Sequence, residues 1–217
     1  SMISAYFYHD LWNEASTLFN EMRCRGLKPD RVTFITILKI CGSLMNLQCG
    51  KEVHKHAIVC GFQSDISLMN TIMDMYMKCG SFAEACHVFD MLPIPNVVSW
   101  TVLISGYTEY GHGEEALGLL QDMKEAGICL NATTFVCGLK ACSSTGDVDK
   151  GRELNVEIYK RGLLENDVVL GTALVDMYAK FGDLTKAHEL LENMPVRNVV
   201  SWSALITGYS QQGQNEE

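Results

Sequence analysis

Asn96–Tyr107 reads NVVSWTVLISGY and Asn198–Tyr209 reads NVVSWSALITGY, so nine of twelve letters return after 102 residues. A chain that echoes itself in this way is a tandem array, and its period has to be resolved before any other motif is interpreted. Outward from the echo, the interval divides into three unequal units. Val97–Asn131 has 35 residues, Ala132–Asp167 has 36 and Val168–Asn198 has 31. The same order precedes it: 1–30 is most of a regular unit, 31–65 a looser one and 66–96 a short one. Residues 199–217 begin the regular design again.

Each unit carries apolar stripes at helical spacing. Trp100, Leu103, Ile104 and Tyr107 form one stripe of the regular unit, and Ala116, Leu119, Leu120 and Met123 form the next. The spacing i, i+3, i+4, i+7 marks one face of a helix. Gly111-His112-Gly113 lies between the stripes and Gly127 follows them. Each unit is therefore read as two antiparallel helices joined by a short turn. Ala15, Leu18, Phe19 and Met22, then Phe34, Ile37, Leu38 and Cys41, then Ala85, Val88, Phe89 and Leu92, repeat the pattern. The loose units have poorer second stripes: Gly50, Val53, His54, Ala57 and Gly151, Leu154, Asn155, Ile158. A glycine inside a helix costs about 1 kcal/mol relative to alanine, so a weak core is expected there. The fold expected is all-α: a right-handed α-solenoid of helix-turn-helix repeats, about eleven helices, with first helices on the concave side.

Composition narrows the functional classes. Hydrophobic residues make up 47% and charged residues 20%, as in an ordered chain. No apolar run approaches the ~18 residues that span a membrane. The nine cysteines are odd in number and contain no C-x-x-C, so neither a disulfide framework nor a zinc site is expected. They read as small buried hydrophobes in a reducing compartment, with Cys41 and Cys142 in equivalent places. The net charge of −9 argues against a non-specific basic grip on nucleic acid, and leaves room for a locally basic groove.

Several patterns are decoys. Gly111, Gly113 and Ala116 spell a dinucleotide fingerprint, but the echo places Asn215 where Gly113 stood. His54 and His56, two apart on a helix, point to different sides and make no metal pair. Asn131-Ala132-Thr133 is a glycosylation sequon by letters only. No Ser/His/Asp or Cys/His set converges, and the zinc-deaminase pattern of H-x-E with P-C-x-x-C is missing. No catalytic residue, metal or cofactor is assigned, and the chain is not expected to be an enzyme.

Two families have paired helices of nearly this period. Trp100, Leu103, Tyr107 and Ala116 fit the tetratricopeptide repeat of about 34 residues, but Ile104 stands where that repeat wants glycine. The unit lengths do not fit it either. NVVSWTVLISGYTEYGHGEEALGLLQDMKEAGI resembles a pentatricopeptide repeat from end to end, and MDMYMKCGSFAEACHVFDMLP resembles its short S form. The regular, loose, short order resembles the P-L-S subclass of plant organelle proteins and covers essentially the whole chain. It gives P repeats at 1–30, 97–131 and 199–217, the outer two truncated, L repeats at 31–65 and 132–167, and S repeats at 66–96 and 168–198.

The resemblance implies sequence-selective binding of single-stranded RNA, one base per repeat, in an organellar RNA-processing or C-to-U editing factor. It implies a soluble protein of the plant mitochondrion or chloroplast, with other editing-complex proteins as further partners. In the family, the fifth residue and the last residue of a repeat read the base. Asp only accepts and suits the ring N–H of U or G; Asn can donate and suits the ring nitrogen of C or A. Carried over, Asn70 with Asn96 implies a pyrimidine, C before U. Thr101 with Asn131 and Thr172 with Asn198 imply A. Asp30 implies U or G, and Ser203 a purine. In the L repeats Ile35 stands with Asp65 and Val136 with Asp167. Aliphatic side chains cannot hydrogen-bond a base edge, so these two units are expected to space or read weakly.

The implied register, 5′ to 3′ along N to C, is (U/G)-N-(C/U)-A-N-A-purine. Second-position residues Val32, Ser67, Val98, Thr133, Val169 and Val200 would clamp bases, with Ser67 gripping less well. Lys78 and Lys180 are candidate phosphate ligands, and Glu109 stands at their place in the regular unit. A plainer reading makes Asn70, Thr101 and Thr172 helix caps, and Asp30, Asn96, Asn131 and Asn198 turn residues. The alternative function is a protein-interaction scaffold of the tetratricopeptide kind. End-to-end self-association through the truncated repeats is a further expectation.

Overall fold

Each described first helix of a unit starts one residue after an Asn or Asp, because those side chains satisfy backbone N–H groups that a helix start leaves unpaired. The computed structural model describes residues 12–164 and 167–213, and among them all regular elements are α-helices. They are α1 (Trp12–Cys24), α2 (Arg31–Ser43), α3 (Leu47–Val59), α4 (Ile66–Lys78), α5 (Phe82–Asp90) and α6 (Val97–Glu109). Then follow α7 (Gly113–Glu125), α8 (Ala132–Thr145), α9 (Val148–Lys160), α10 (Val168–Lys180), α11 (Leu184–Asn193) and α12 (Val199–Gly213). The first part of unit 1–30 and the Asn215 echo lie outside the described residues. No helix among them is long and apolar enough to cross a membrane.

The chain forms two compact units, Ser1–Gly106 and Tyr107–Glu217. In the first, α2 and α4 lie side by side, α3 packs on both, and α5 folds back on α4. Phe34, Ile37, Leu38, Leu68, Ile72 and Met73 are fully buried between them. Phe34 meets Phe19, His56 and Phe62 edge to face at 6.3, 5.7 and 5.5 Å. Trp100 of α6 packs on Phe89 at 4.7 Å. The second unit repeats the scheme. First helices α8, α10 and α12 adjoin in turn, α9 covers α8, and α11 covers α10 and α12. Phe135, Leu139, Leu154, Ile158, Leu174 and Val175 form its core, with the Arg161 guanidinium 5.4 Å from the Phe135 ring centre.

The weak core expected in the loose units is not found. Val53, Ala57, Leu154 and Ile158 are 1% exposed or less. A Cβ on Gly50 would lie 2.3 Å from Met75 Sδ, and one on Gly151 would lie 2.7 Å from Met177 Sδ. The glycines make room for a methionine of the following first helix, and dispersion contacts offset their helix propensity cost. The two polar residues of these stripes are also used. His54 Nδ1 hydrogen-bonds the Tyr76 hydroxyl at 3.0 Å, and Asn155 Nδ2 donates to the Tyr178 hydroxyl at 2.9 Å.

Two other expectations are corrected or sharpened. Only Cys41, Cys137 and Cys142 are buried; Cys24 and Cys129 are exposed, the other four are intermediate, and none forms a disulfide. Local hydrophobic spacing says which face a cysteine occupies only inside a helix, and Cys129 lies in a connection. Burial pushes the Cys142 thiol up to about 12 and the Cys137 thiol to about 11, which keeps both protonated and unreactive. Gly111, with φ +79°, turns the chain between α6 and α7, and Gly113 opens α7 against Ser144 and Thr145. A helix, not a strand, precedes these glycines, so the dinucleotide reading has no structural basis.

Candidate nucleic-acid interface

The second, fifth, ninth and thirteenth residues of a first helix are spaced i, i+3, i+7, i+11 and share one stripe. Its second positions are apolar yet open: Val32 and Val98 are 55% exposed, Val200 63% and Val169 65%. Ser67 and Thr133 are exposed as well. At the fifth position Asn70 is 6% exposed, while Ile35, Thr101, Val136 and Thr172 are half-buried and Ser203 is exposed.

The fifth residues are not helix caps. They sit a full turn inside their helices. Thr101 Oγ1 donates to Val97 O at 2.6 Å and Thr172 Oγ1 donates to Val168 O at 2.7 Å. Each hydroxyl thus uses its proton on its own helix and keeps its lone pairs for an outside donor.

Capping falls instead to the last residue of each repeat, not to a turn role. Asp30 Oδ1 accepts from Thr33 N at 2.7 Å, Asp65 Oδ1 from Leu68 N at 3.0 Å and Asp167 Oδ1 from Leu170 N at 3.0 Å. Asn131 Oδ1 accepts from Thr134 N and Asn198 Oδ1 from Ser201 N, both at 2.8 Å. Asn96 Oδ1 accepts from Val98 N at 2.9 Å and Ser99 N at 3.1 Å. Backbone N–H groups only donate, so they fix which amide atom faces the helix. An Asn at this place turns Nδ2 away from the cap, and an Asp turns away a second oxygen. The Thr33 hydroxyl and backbone N–H hold the Asp30 carboxyl below the usual carboxylate range, which favours the ionised, accepting form.

In the first unit, these positions meet in a groove of about 560 Å³. Ser67, Asn70, Asn96 and Val98 line it, together with Arg31, Lys39, Asp65 and Asp74. Asn70 Oδ1 is buried there without a hydrogen bond. Its two cations and two carboxylates balance, so the groove is not basic. Arg31 Nε lies 3.0 Å from Asp65 Oδ2, so both oxygens of Asp65 are engaged. In the second loose repeat Ala132 occupies the place of Arg31, and among the described residues Asp167 makes no ion pair.

The two candidate phosphate lysines are already ion-paired. Lys78 Nζ lies 2.7 Å from Asp74 and Lys180 Nζ lies 2.8 Å from Asp176, each one turn back. Sequence reasoning passed over Lys39 and Lys140, the ninth residues of α2 and α8. Their signal was available, since they are lysines at the same repeat position. Glu109 is exposed at the thirteenth position of α6. Among the described residues no group of His, Cys, Asp or Glu is arranged to hold a metal.

The PPR repeat family model matches residues 1–43 and 95–144, and the PPR repeat model matches 67–93, 172–199 and 200–217. A pentatricopeptide repeat-containing protein of Arabidopsis thaliana is 37% identical over 218 residues, covering 100% of this chain and 35% of the relative. Another from the same plant, named as chloroplastic, is 37% identical over 213 residues, covering 98% of this chain and 34% of its own length. The chain thus spans about a third of these curated relatives. The crystal structure of the pentatricopeptide repeat protein PPR10 in complex with an 18-nt psaJ RNA element superposes with a TM-score of 0.69. It is 26% identical, over 88% of this chain and 29% of that one.

Proposed function

Because the chain belongs to the pentatricopeptide repeat family, we propose that it binds single-stranded RNA and reads one base per P or S repeat. We place it in the P-L-S subclass, as the recognition part of an organellar RNA-processing or C-to-U editing factor. The observation that carries this reading is the groove of repeat 66–96. It sets an unpartnered buried acceptor, Asn70 Oδ1, beside Asn96, whose cap orients Nδ2 as a donor. Cytosine offers the complement, an exocyclic N–H donor next to a ring acceptor. Uracil presents the two in reverse, so C is favoured over U.

In repeats 97–131 and 168–198 the same donor role falls to Asn131 and Asn198, with Thr101 and Thr172 as acceptors, and the base is A. Asp30 accepts from U or G, and Ser203 faces a purine. The open valines Val32, Val98, Val169 and Val200 offer flat apolar contact to base faces and are themselves covered on binding. Repeat 31–65 contributes no base reading, because Ile35 is aliphatic and Arg31 holds Asp65. We assign no catalytic step to this chain; chemistry on the RNA belongs to another domain or a partner protein of the editing complex.

Asn131→Asp is the test. Asp caps first helices elsewhere in this chain, so the substitution preserves the fold while replacing an outward donor by an acceptor. Fluorescence anisotropy with oligonucleotides varied at the base opposite repeat 97–131 should show the preference move from A to G, by about tenfold. An unchanged preference for A, or none in either protein, would sink the reading.

A further inference from the structure

We infer that the two loose repeats hold the RNA backbone through Lys39 and Lys140, phosphodiester-binding side chains that stand where base reading is lost. This rests on the RNA reading above and extends it to the repeats that reading leaves idle.

Val32, Ile35 and Lys39 form the reading stripe of α2, and Thr133, Val136 and Lys140 form that of α8. In both, the fifth residue is aliphatic and the ninth is lysine. The short repeats reverse this, with Asn70 and Thr172 at the fifth position and Asp74 and Asp176 at the ninth. The regular repeat has Thr101 and Ser105. At the ninth position, then, a cation stands only where the fifth residue is not a hydrogen-bonding reader.

The lysines also differ in what they already hold. Lys39 and Lys140 are exposed and make no ion pair among the described residues. Lys78 and Lys180 are each held by a carboxylate one turn back, and for them a phosphate would replace an existing partner. Lys39 lines the groove that also contains Asn70, Asn96 and Val98, while the groove's other cation, Arg31, is committed to Asp65. Four residues past the fifth position is about 6 Å along the helix, which places the ammonium beside the base edge and not on it. An ammonium is a compact point charge with three donors, suited to a phosphate and indifferent to base identity.

The Lys39→Gln/Lys140→Gln double variant of the full chain tests this, with Lys78→Gln/Lys180→Gln as the comparison. Binding is measured by anisotropy from low to high potassium chloride, using two oligonucleotides that differ only at the base opposite repeat 66–96. Thermal melting checks that each variant is folded. Loss of Lys39 and Lys140 should lower the slope of log K against log salt by about 0.7 for each lysine removed. It should weaken both oligonucleotides by the same factor, and the comparison pair should lower the slope less. An unchanged slope, a slope loss confined to Lys78 and Lys180, or an altered base preference would overturn the inference. A wild-type chain with no affinity for single-stranded RNA would overturn the RNA reading itself, and this inference with it.

Discussion

The two loose repeats, 31–65 and 132–167, share one backbone plan and differ in chemistry at matched places. Phe34 sits among aromatic rings, whereas Phe135 lies under a guanidinium. His54 meets Tyr76 where Asn155 meets Tyr178. Met45 holds φ +51° where Gly146 holds +75°. Arg31 pairs with Asp65, and Ala132 stands at the place of Arg31 in the second repeat. A helical hairpin tolerates such exchanges because each matched pair answers the same local requirement, a filled core or a partnered polar atom, by different means. The second unit meets these requirements with groups that do not titrate near neutrality, and the first partly with ones that do.

The largest expected break is in the core. Phe34→Ala and Phe135→Ala each remove a fully buried ring and should cost about 3–5 kcal/mol, read from urea unfolding midpoints. Equal losses would show that three aromatic neighbours and one cation support a ring equally well.

Next comes the tyrosine joint. Tyr178→Phe strands Asn155 Nδ2, whose Oδ1 already lacks a partner, and should cost about 1–3 kcal/mol. Tyr76→Phe should cost less, because His54 is less buried than Asn155 and can reach water. If the two variants lose the same stability, that asymmetry is wrong.

A smaller effect has the opposite sign. A side chain in the left-handed region is strained, and glycine is not, so Met45→Gly should raise stability by roughly 0.5–1 kcal/mol. Destabilisation in a thermal melt would show that the exposed methionine has contacts of its own to lose.

The last prediction concerns pH. Burial, and to a lesser degree the charge of His87, hold His54 below its ordinary value of 6.5. The unfolded chain therefore takes up this proton first as pH falls. The contribution is fully present above about 6.5 and declines as the pH drops through that value towards the depressed folded one. His54→Asn, which copies the second repeat, should flatten this part of the stability profile between pH 7.5 and 5.5. A profile identical to wild type would exclude His54 as the source.

Much of this molecule was legible in its letters, for a local reason. Helix stripes and turn glycines act over four to seven residues, and the sequence prints such spacings directly. The same holds for the repeat ends, whose Asn and Asp side chains bond N–H groups three residues on. Whether a residue caps or reads was less legible, and the plainer alternative assigned the caps to the wrong set. Thr101 and Thr172 look like cap residues by type, and only the helix starts at Val97 and Val168 put them inside a helix.

The glycines of the loose repeats show the other limit. By propensity Gly50 and Gly151 are defects; against Met75 and Met177 they are clearances, and those partners lie about 25 residues away in the chain.

The sequence by itself determined the helical hairpins and the family, while the candidate reading pairs are what the family resemblance implies. The hairpins were legible because helix stripes and turn glycines rest on short-range spacing. Only the tertiary structure decided which atoms are left over. It orphaned the buried oxygen of Asn70, tied Asp65 to Arg31 and, among the described residues, left Lys39 and Lys140 without an ion pair. Burial and pairing depend on what packs against a face, and a repeating sequence writes the face without writing its neighbour.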